Sequence, residues 1–182
     1  MPTNMKNVIA ATFFDMVKQK GIDKITVKDL VETCHISRQT FYYHFQDILD
    51  VIEWSARQAI QQALDVSLSQ EDPEQAIRAF IAVAVENHEL IQKLLQSQKH
   101  EYIEKIFVEG LKVYLMELLR GKAPGLTANY EDVEVALEFC AFGIAGVLLD
   151  HCSRSNCDPD KLARQLFKLL QGKIIPTERT RV

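Results

Sequence analysis

A chain of 182 residues, 47% apolar and 25% charged, is sized for one compact domain or for a small module joined to a larger one. Its 21 basic against 25 acidic residues leave a net charge of −4, which excludes a polycation; any contact with nucleic acid has to come from a local surface. The four cysteines, Cys34, Cys140, Cys152 and Cys157, form no C-x-x-C pair and have no histidine at zinc-finger spacing, so isolated thiols are expected and a metal site is not.

Met5, Ile9, Phe13, Met16 and Val17 share one helical stripe and predict a first helix from Asn4 to Gln19, stopped by Gly21. The stripe is amphipathic, unlike a cleavable signal, and the cytoplasm is the expected location. Thr26, with Asp29 three residues on, predicts a capped second helix through Cys34 with Val27, Leu30, Val31 and Cys34 facing inward. His35 and Ile36 alone separate it from Ser37, a good cap for a third short helix. Asp47 caps a fourth, to about Ser69.

Beyond Glu71-Asp72-Pro73-Glu74 the helical period continues from Ala76 to Gln98, with a break expected near Asn87-His88, and from Glu101 to Leu119. Residues 121–129, GKAPGLTAN, read as the clearest loop. Two further helices are expected, Tyr130 to Ser153 and Pro159 to Gln171, before a polar tail. Strand-like alternation is nearly absent, so the fold class is all-α. The longest apolar run, Phe139 to Leu149, is too short to cross a hydrocarbon core of about 30 Å, and no membrane association is expected.

The segment Ser37-Arg38-Gln39-Thr40-Phe41-Tyr42-Tyr43-His44-Phe45 is unusually rich in hydrogen-bonding side chains for so short a helix. A tight helix-turn-helix uses its second helix in the major groove. Here Ile36, Phe41 and Phe45 can fix that helix onto Leu30, Val31 and Cys34, leaving Arg38, Gln39, Thr40 and Tyr43 outward. Arginine matches guanine O6/N7, glutamine matches adenine N6/N7, and threonine can donate, accept or touch a thymine methyl. Tyr42, His44 and the backbone amides at Ser37 suit phosphates. No phosphate-cradling glycine loop, nucleophile elbow or H-E-x-x-H motif appears, so an enzyme is not expected, nor a cofactor.

From Thr26 to Ile52 the chain resembles the DNA-binding motif of the TetR family of bacterial transcription regulators. The features that carry the resemblance are the Thr26 cap, Leu30, the turn Cys34-His35-Ile36-Ser37, and Phe41 to Phe45. It implies that Thr26 and Tyr42 meet phosphates and that Arg38, Gln39, Thr40 and Tyr43 face the groove. His35 stands where the family usually has glycine, and Ile48 where it usually has a phosphate-gripping lysine. Charges from Thr26 to Phe45 cancel, so weak non-specific affinity and a site held by two copies of the motif are expected.

The resulting layout is a DNA-binding module over residues 1–48, a helical effector-binding and dimerisation domain over 49–175 and a flexible tail over 176–182. The small-residue face Ala136, Cys140, Gly143 and Val147, with Leu162, Leu166, Leu169 and Leu170, predicts a two-fold four-helix interface, as such regulators use. The resemblance further implies an enclosed small-molecule effector site, with Trp54, Phe80, Glu86, His88, Tyr102, Phe107, Tyr114 and Phe142 as candidates. The expectation is a homodimeric regulator, repressor rather than activator, on a palindromic double-stranded operator. The alternative is a dimeric interaction protein with a protein partner and vestigial DNA contact, whose middle helices would pack solid.

Overall fold

The computed structural model describes residues 4–122, 129–152 and 158–171. They form α1 (Met5–Lys20), a 3-10 turn (Ile22–Lys24), α2 (Val27–Thr33), α3 (Arg38–His44), α4 (Ile48–Ser69), α5 (Pro73–Glu86), α6 (His88–Leu95), α7 (His100–Lys122), α8 (Tyr130–Cys152) and α9 (Pro159–Leu170), with no strand among the described residues. The chain is all-α.

Helix starts fall where a side chain can satisfy orphan amides. Asn4 accepts from the Lys6 amide at 3.1 Å, Asp47 from Asp50 at 2.9 Å, Asp72 from Glu74 at 3.0 Å, and Asp158 from Asp160 and Lys161 at 3.0 and 3.1 Å. Gly21, at φ 76°, ends α1 with its amide donating to the Val17 carbonyl. The 3-10 turn that follows was not legible from periodicity; Ile22 and Ile25 on its two sides are buried and pull it onto α1. The expected break falls at Asn87, whose side-chain amide donates back to the Val83 carbonyl at 2.8 Å. α7 runs three residues past Leu119, while residues 123–128 of the expected loop and the tail at 176–182 lie outside the described residues.

Two apolar clusters result. The first gathers Ile9, Phe13 and Val17 of α1, Leu30 and Val31 of α2, Phe41 and Phe45 around α3, and Val51 and Ile52 of α4; Leu94 of α6 and Ile103 of α7 close it. The second joins Ala63 and Leu64 of α4, Ile81 of α5, Leu111 and Tyr114 of α7, Ala141, Ile144 and Leu148 of α8, and Leu162 and Leu166 of α9. α4 and α7 each run through both, so they are the elements that connect them. The second cluster holds one buried polar knot, in which the Ser67 hydroxyl donates to the Ala76 carbonyl at 3.0 Å and meets the Tyr114 hydroxyl at 2.7 Å.

Candidate nucleic-acid interface

The α2–α3 pair is fixed by local chemistry before any long-range packing. Thr26 and Asp29 make a full capping box: the Asp29 amide donates to the Thr26 hydroxyl oxygen at 3.1 Å, and the Thr26 amide donates to the Asp29 carboxylate at 3.0 Å. The Thr26 amide first, and then the Thr26 hydroxyl donating to the same carboxylate at 2.8 Å, hold the Asp29 carboxyl below its ordinary range, with Lys20 adding an ion pair at 3.6 Å. The turn closes with the His35 amide donating to the Glu32 carbonyl and the Ile36 amide to the Val31 carbonyl. His35 takes φ 55°, the left-handed conformation in which histidine, like Asn and Asp, is found more often than other non-glycine residues. Ser37 then caps α3, accepting from the Thr40 amide at 3.0 Å.

α3 is pinned from beneath. Phe41 and Phe45 are buried, their rings 6.1 Å apart, and Phe45 meets Trp54 of α4 edge-on at 5.8 Å. Lys6 lies over both the Phe45 and Trp54 rings, at 5.0 and 5.8 Å. The outer face is left to Arg38, Gln39, Tyr42 and Tyr43, the last 84% exposed. Among the described residues no ion pair engages Arg38. Thr40 is half-buried, its hydroxyl bonded to that of Ser37 at 2.9 Å, and His44 is half-buried with its ring edge-on to Tyr43 at 4.9 Å. Thr26 is exposed, but its hydroxyl proton already goes to Asp29 at 2.8 Å. Ile48 packs partly buried against the first cluster, so the place of the usual lysine serves the core here.

Behind this module lies an apolar cavity of about 230 Å³ between α4, α5, α6 and α7, with Phe14 of α1 in its wall. Of the aromatic and polar residues named as effector-site candidates, Phe80 and Phe107 line this cavity. The others are elsewhere: Trp54 under α3, Glu86 exposed, His88 bonded to the Val85 carbonyl, and Tyr114 in the Ser67 knot. Tyr102 donates to Glu53 across an outer α4–α7 groove, which raises its phenol pKa. Phe142 is 59% exposed on the outside of α8. Sequence reasoning missed Ile52, Val83 and Leu90 in the cavity wall, because an aliphatic beside a void has the same spacing as one in solid packing.

A second surface is apolar without hydrogen-bonding tips. α8 buries Leu137, Ala141, Ile144, Ala145 and Leu148 and turns Val135, Phe139 and Phe142 outward, with open space over Gly143 and Gly146. Ala136 is exposed here, while Cys140 and Val147 are half-buried. Leu169 and Leu170 of α9 are also outward. Leu162 and Leu166, expected at a subunit interface, are corrected: both are 4% exposed, packed in the chain's own second cluster.

Residues 14–53 match the family described as bacterial regulatory proteins, tetR family, and residues 71–172 match that described as transcriptional regulator C-terminal region. The chain is 22% identical over 171 residues to the HTH-type dhaKLM operon transcriptional activator DhaS of Lactococcus lactis, covering 93% of this chain and 90% of that one. A solved structure of a dihydroxyacetone kinase operon activator DhaS superposes with a TM-score of 0.70 at 21% identity, over 94% of this chain and 96% of that one. The fatty acid degradation regulator FadR of Bacillus halodurans gives 0.61 at 16% identity, over 96% and 98% of the two chains. Matched at both its helix-turn-helix and its C-terminal region, the chain belongs to the TetR family of bacterial transcription regulators.

Proposed function

We propose that two copies of the chain bind a palindromic operator through α3 and that a small molecule in the central cavity alters the grip. The observation that carries the DNA reading is an exposed Arg38-Gln39-Tyr42-Tyr43 face on a helix whose other side is locked by buried Phe41 and Phe45. Arg38 and Gln39 read base edges; Tyr42, Ser37 and Thr26 meet phosphates, Thr26 after its hydroxyl proton leaves Asp29. Thr40, Tyr43 and His44 complete the contact. With Ile48 in place of a lysine and Asp47 and Asp50 beside it, affinity depends on two modules engaged at half-sites roughly 34–36 Å apart.

The outward Val135, Phe139 and Phe142, with Gly143 and Gly146 open for close approach, support a two-fold α8–α9 interface in which Leu169 and Leu170 join. Phe139→Asp combined with Phe142→Asp turns dimer into monomer in sedimentation equilibrium; a variant pair still dimeric moves the interface elsewhere. The cavity favours the effector reading over the protein-partner alternative, whose middle helices would be packed solid. Coupling between such sites is typically about 1–3 kcal/mol.

Arg38→Ala is expected to lose about 1–3 kcal/mol of discrimination at one base pair, while Tyr42→Phe weakens all sites alike. If both variants bind operator and random DNA as wild type does, α3 is not the reading helix. Repression is the mode proposed here, although the Lactococcus relative is named an activator. A promoter fusion that rises on deletion of the gene supports repression, and one that falls supports activation.

A further inference from the structure

We infer that the central cavity selects an uncharged, largely apolar ligand somewhat larger than one aromatic ring, and rejects carboxylates, phosphates and polyols; this rests on reading the cavity as the effector site. The volume is about 230 Å³. For scale, an apolar protein cavity of about 150 Å³ stays dry and takes up benzene.

The lining chemistry sets the class. Among the described residues Ser55 and Asn87 are the only polar side chains in the wall, and no Asp, Glu, His, Lys or Arg reaches it. The Ser55 hydroxyl donates to the Val51 carbonyl at 2.7 Å and one N–H of the Asn87 amide to the Val83 carbonyl at 2.8 Å, which leaves the second Asn87 N–H as the wall's remaining side-chain donor. An anion placed here would find no counter-charge and a single side-chain donor, too little to replace its hydration, and a polyol would leave hydroxyls unpaired. The Ser55 oxygen retains acceptor capacity, so a single O–H or N–H on the ligand can be met. Cations do exist nearby, Arg57 and Lys105, but they line the outer α4–α7 groove with Glu53 and Glu109. Ile60 and Ile106 stand in the walls of both spaces and divide the charged groove from the apolar interior.

The test is calorimetric titration of the full chain near neutral pH with three probes: 1-octanol, octanoate and dihydroxyacetone. Octanol binds saturably, octanoate at least about tenfold more weakly, and dihydroxyacetone not at all. Octanoate gains affinity as the pH falls toward its carboxyl pKa, because the neutral acid enters and the anion does not. Ala63→Phe fills the cavity from α4 and Val83→Phe from α5; each weakens octanol by about tenfold or more, and either folded variant suffices.

Octanoate or dihydroxyacetone matching octanol overturns the proposal, as does no uptake of octanol, or uptake that a folded filled variant retains. Octanol bound in the cavity with operator affinity unchanged supports the ligand class and overturns only the effector role. Operator binding by the ligand-free chain is scored separately, so failure of the DNA reading leaves the class intact.

Discussion

The two apolar clusters are built for different demands. The first is aromatic and interlocked: Phe41, Phe45 and Trp54 meet ring to ring, Lys6 covers two of them, and side-chain caps open every helix that enters it from α1 to α4. The second is mostly aliphatic, with one buried hydroxyl pair and glycines where helices nearly touch. The cavity sits at their seam. Phe14, Ile52 and Leu90, which belong to or pack on the first cluster, and Ala63, Phe80 and Leu111 of the second share its wall. A helix that reads bases has to be held in one orientation, whereas a region that senses a ligand gains from space its helices can close. Phe14 of α1 lines the cavity, so the effector proposed above would touch the module that carries α3.

The sharpest break of this contrast is Phe41→Ala. A buried ring removed from the interlocked cluster costs about 3–5 kcal/mol and releases α3, so denaturant unfolding and operator binding fall together. Stability retained within error places the rigidity elsewhere. In the second cluster, Tyr114→Phe takes one partner from Ser67, which still donates to the Ala76 carbonyl, and costs about 1 kcal/mol. Operator affinity is unchanged in that variant.

Gly110→Ala is smaller still. A Cβ there lies 2.2 Å from the terminal methyl of Ile60, which has to rotate, and the helix-propensity gain of about 0.8–1.0 kcal/mol offsets the strain. Melting temperature barely moves, while octanol uptake changes because Ile60 stands in the cavity wall. The smallest effect is electrostatic. The Asp29 carboxyl is held below its ordinary value of 3.8, so its contribution to stability is complete above that value and is lost as pH falls below it. Asp29→Asn is expected to lie below wild type at neutral pH, the gap closing under acid titration; a gap constant with pH removes the capping box from the first cluster's stability.

What could be read in advance follows the range of the forces involved. Thr26, Ser37 and Asp47 cap within three residues of themselves, and the exposed face of α3 follows from Phe41 and Phe45 pointing one way. The break at Asn87 was legible for the same reason. The cavity was not, since a void depends on how far α4, α5 and α7 stand apart. Aromatic type therefore singled out Tyr114 and Phe142 as readily as Phe80 and Phe107. The second half of α8 is apolar nearly all round, so its sequence could not say which side its own chain covers; that side proved to be Ala141, Ile144 and Leu148, with Phe139 left outward. Leu162 and Leu166 were misassigned likewise, because an amphipathic α9 faces its own α5 before it can face a second copy.

The most direct measurement is fluorescence anisotropy of the full chain on DNA upstream of its own gene against scrambled DNA, across a salt series. A site-selective, saturable isotherm with two protomers per site, its selectivity reduced in Arg38→Ala, is the predicted result. Equal, weak binding to both DNAs at every salt concentration would contradict α3 as the helix that reads that DNA.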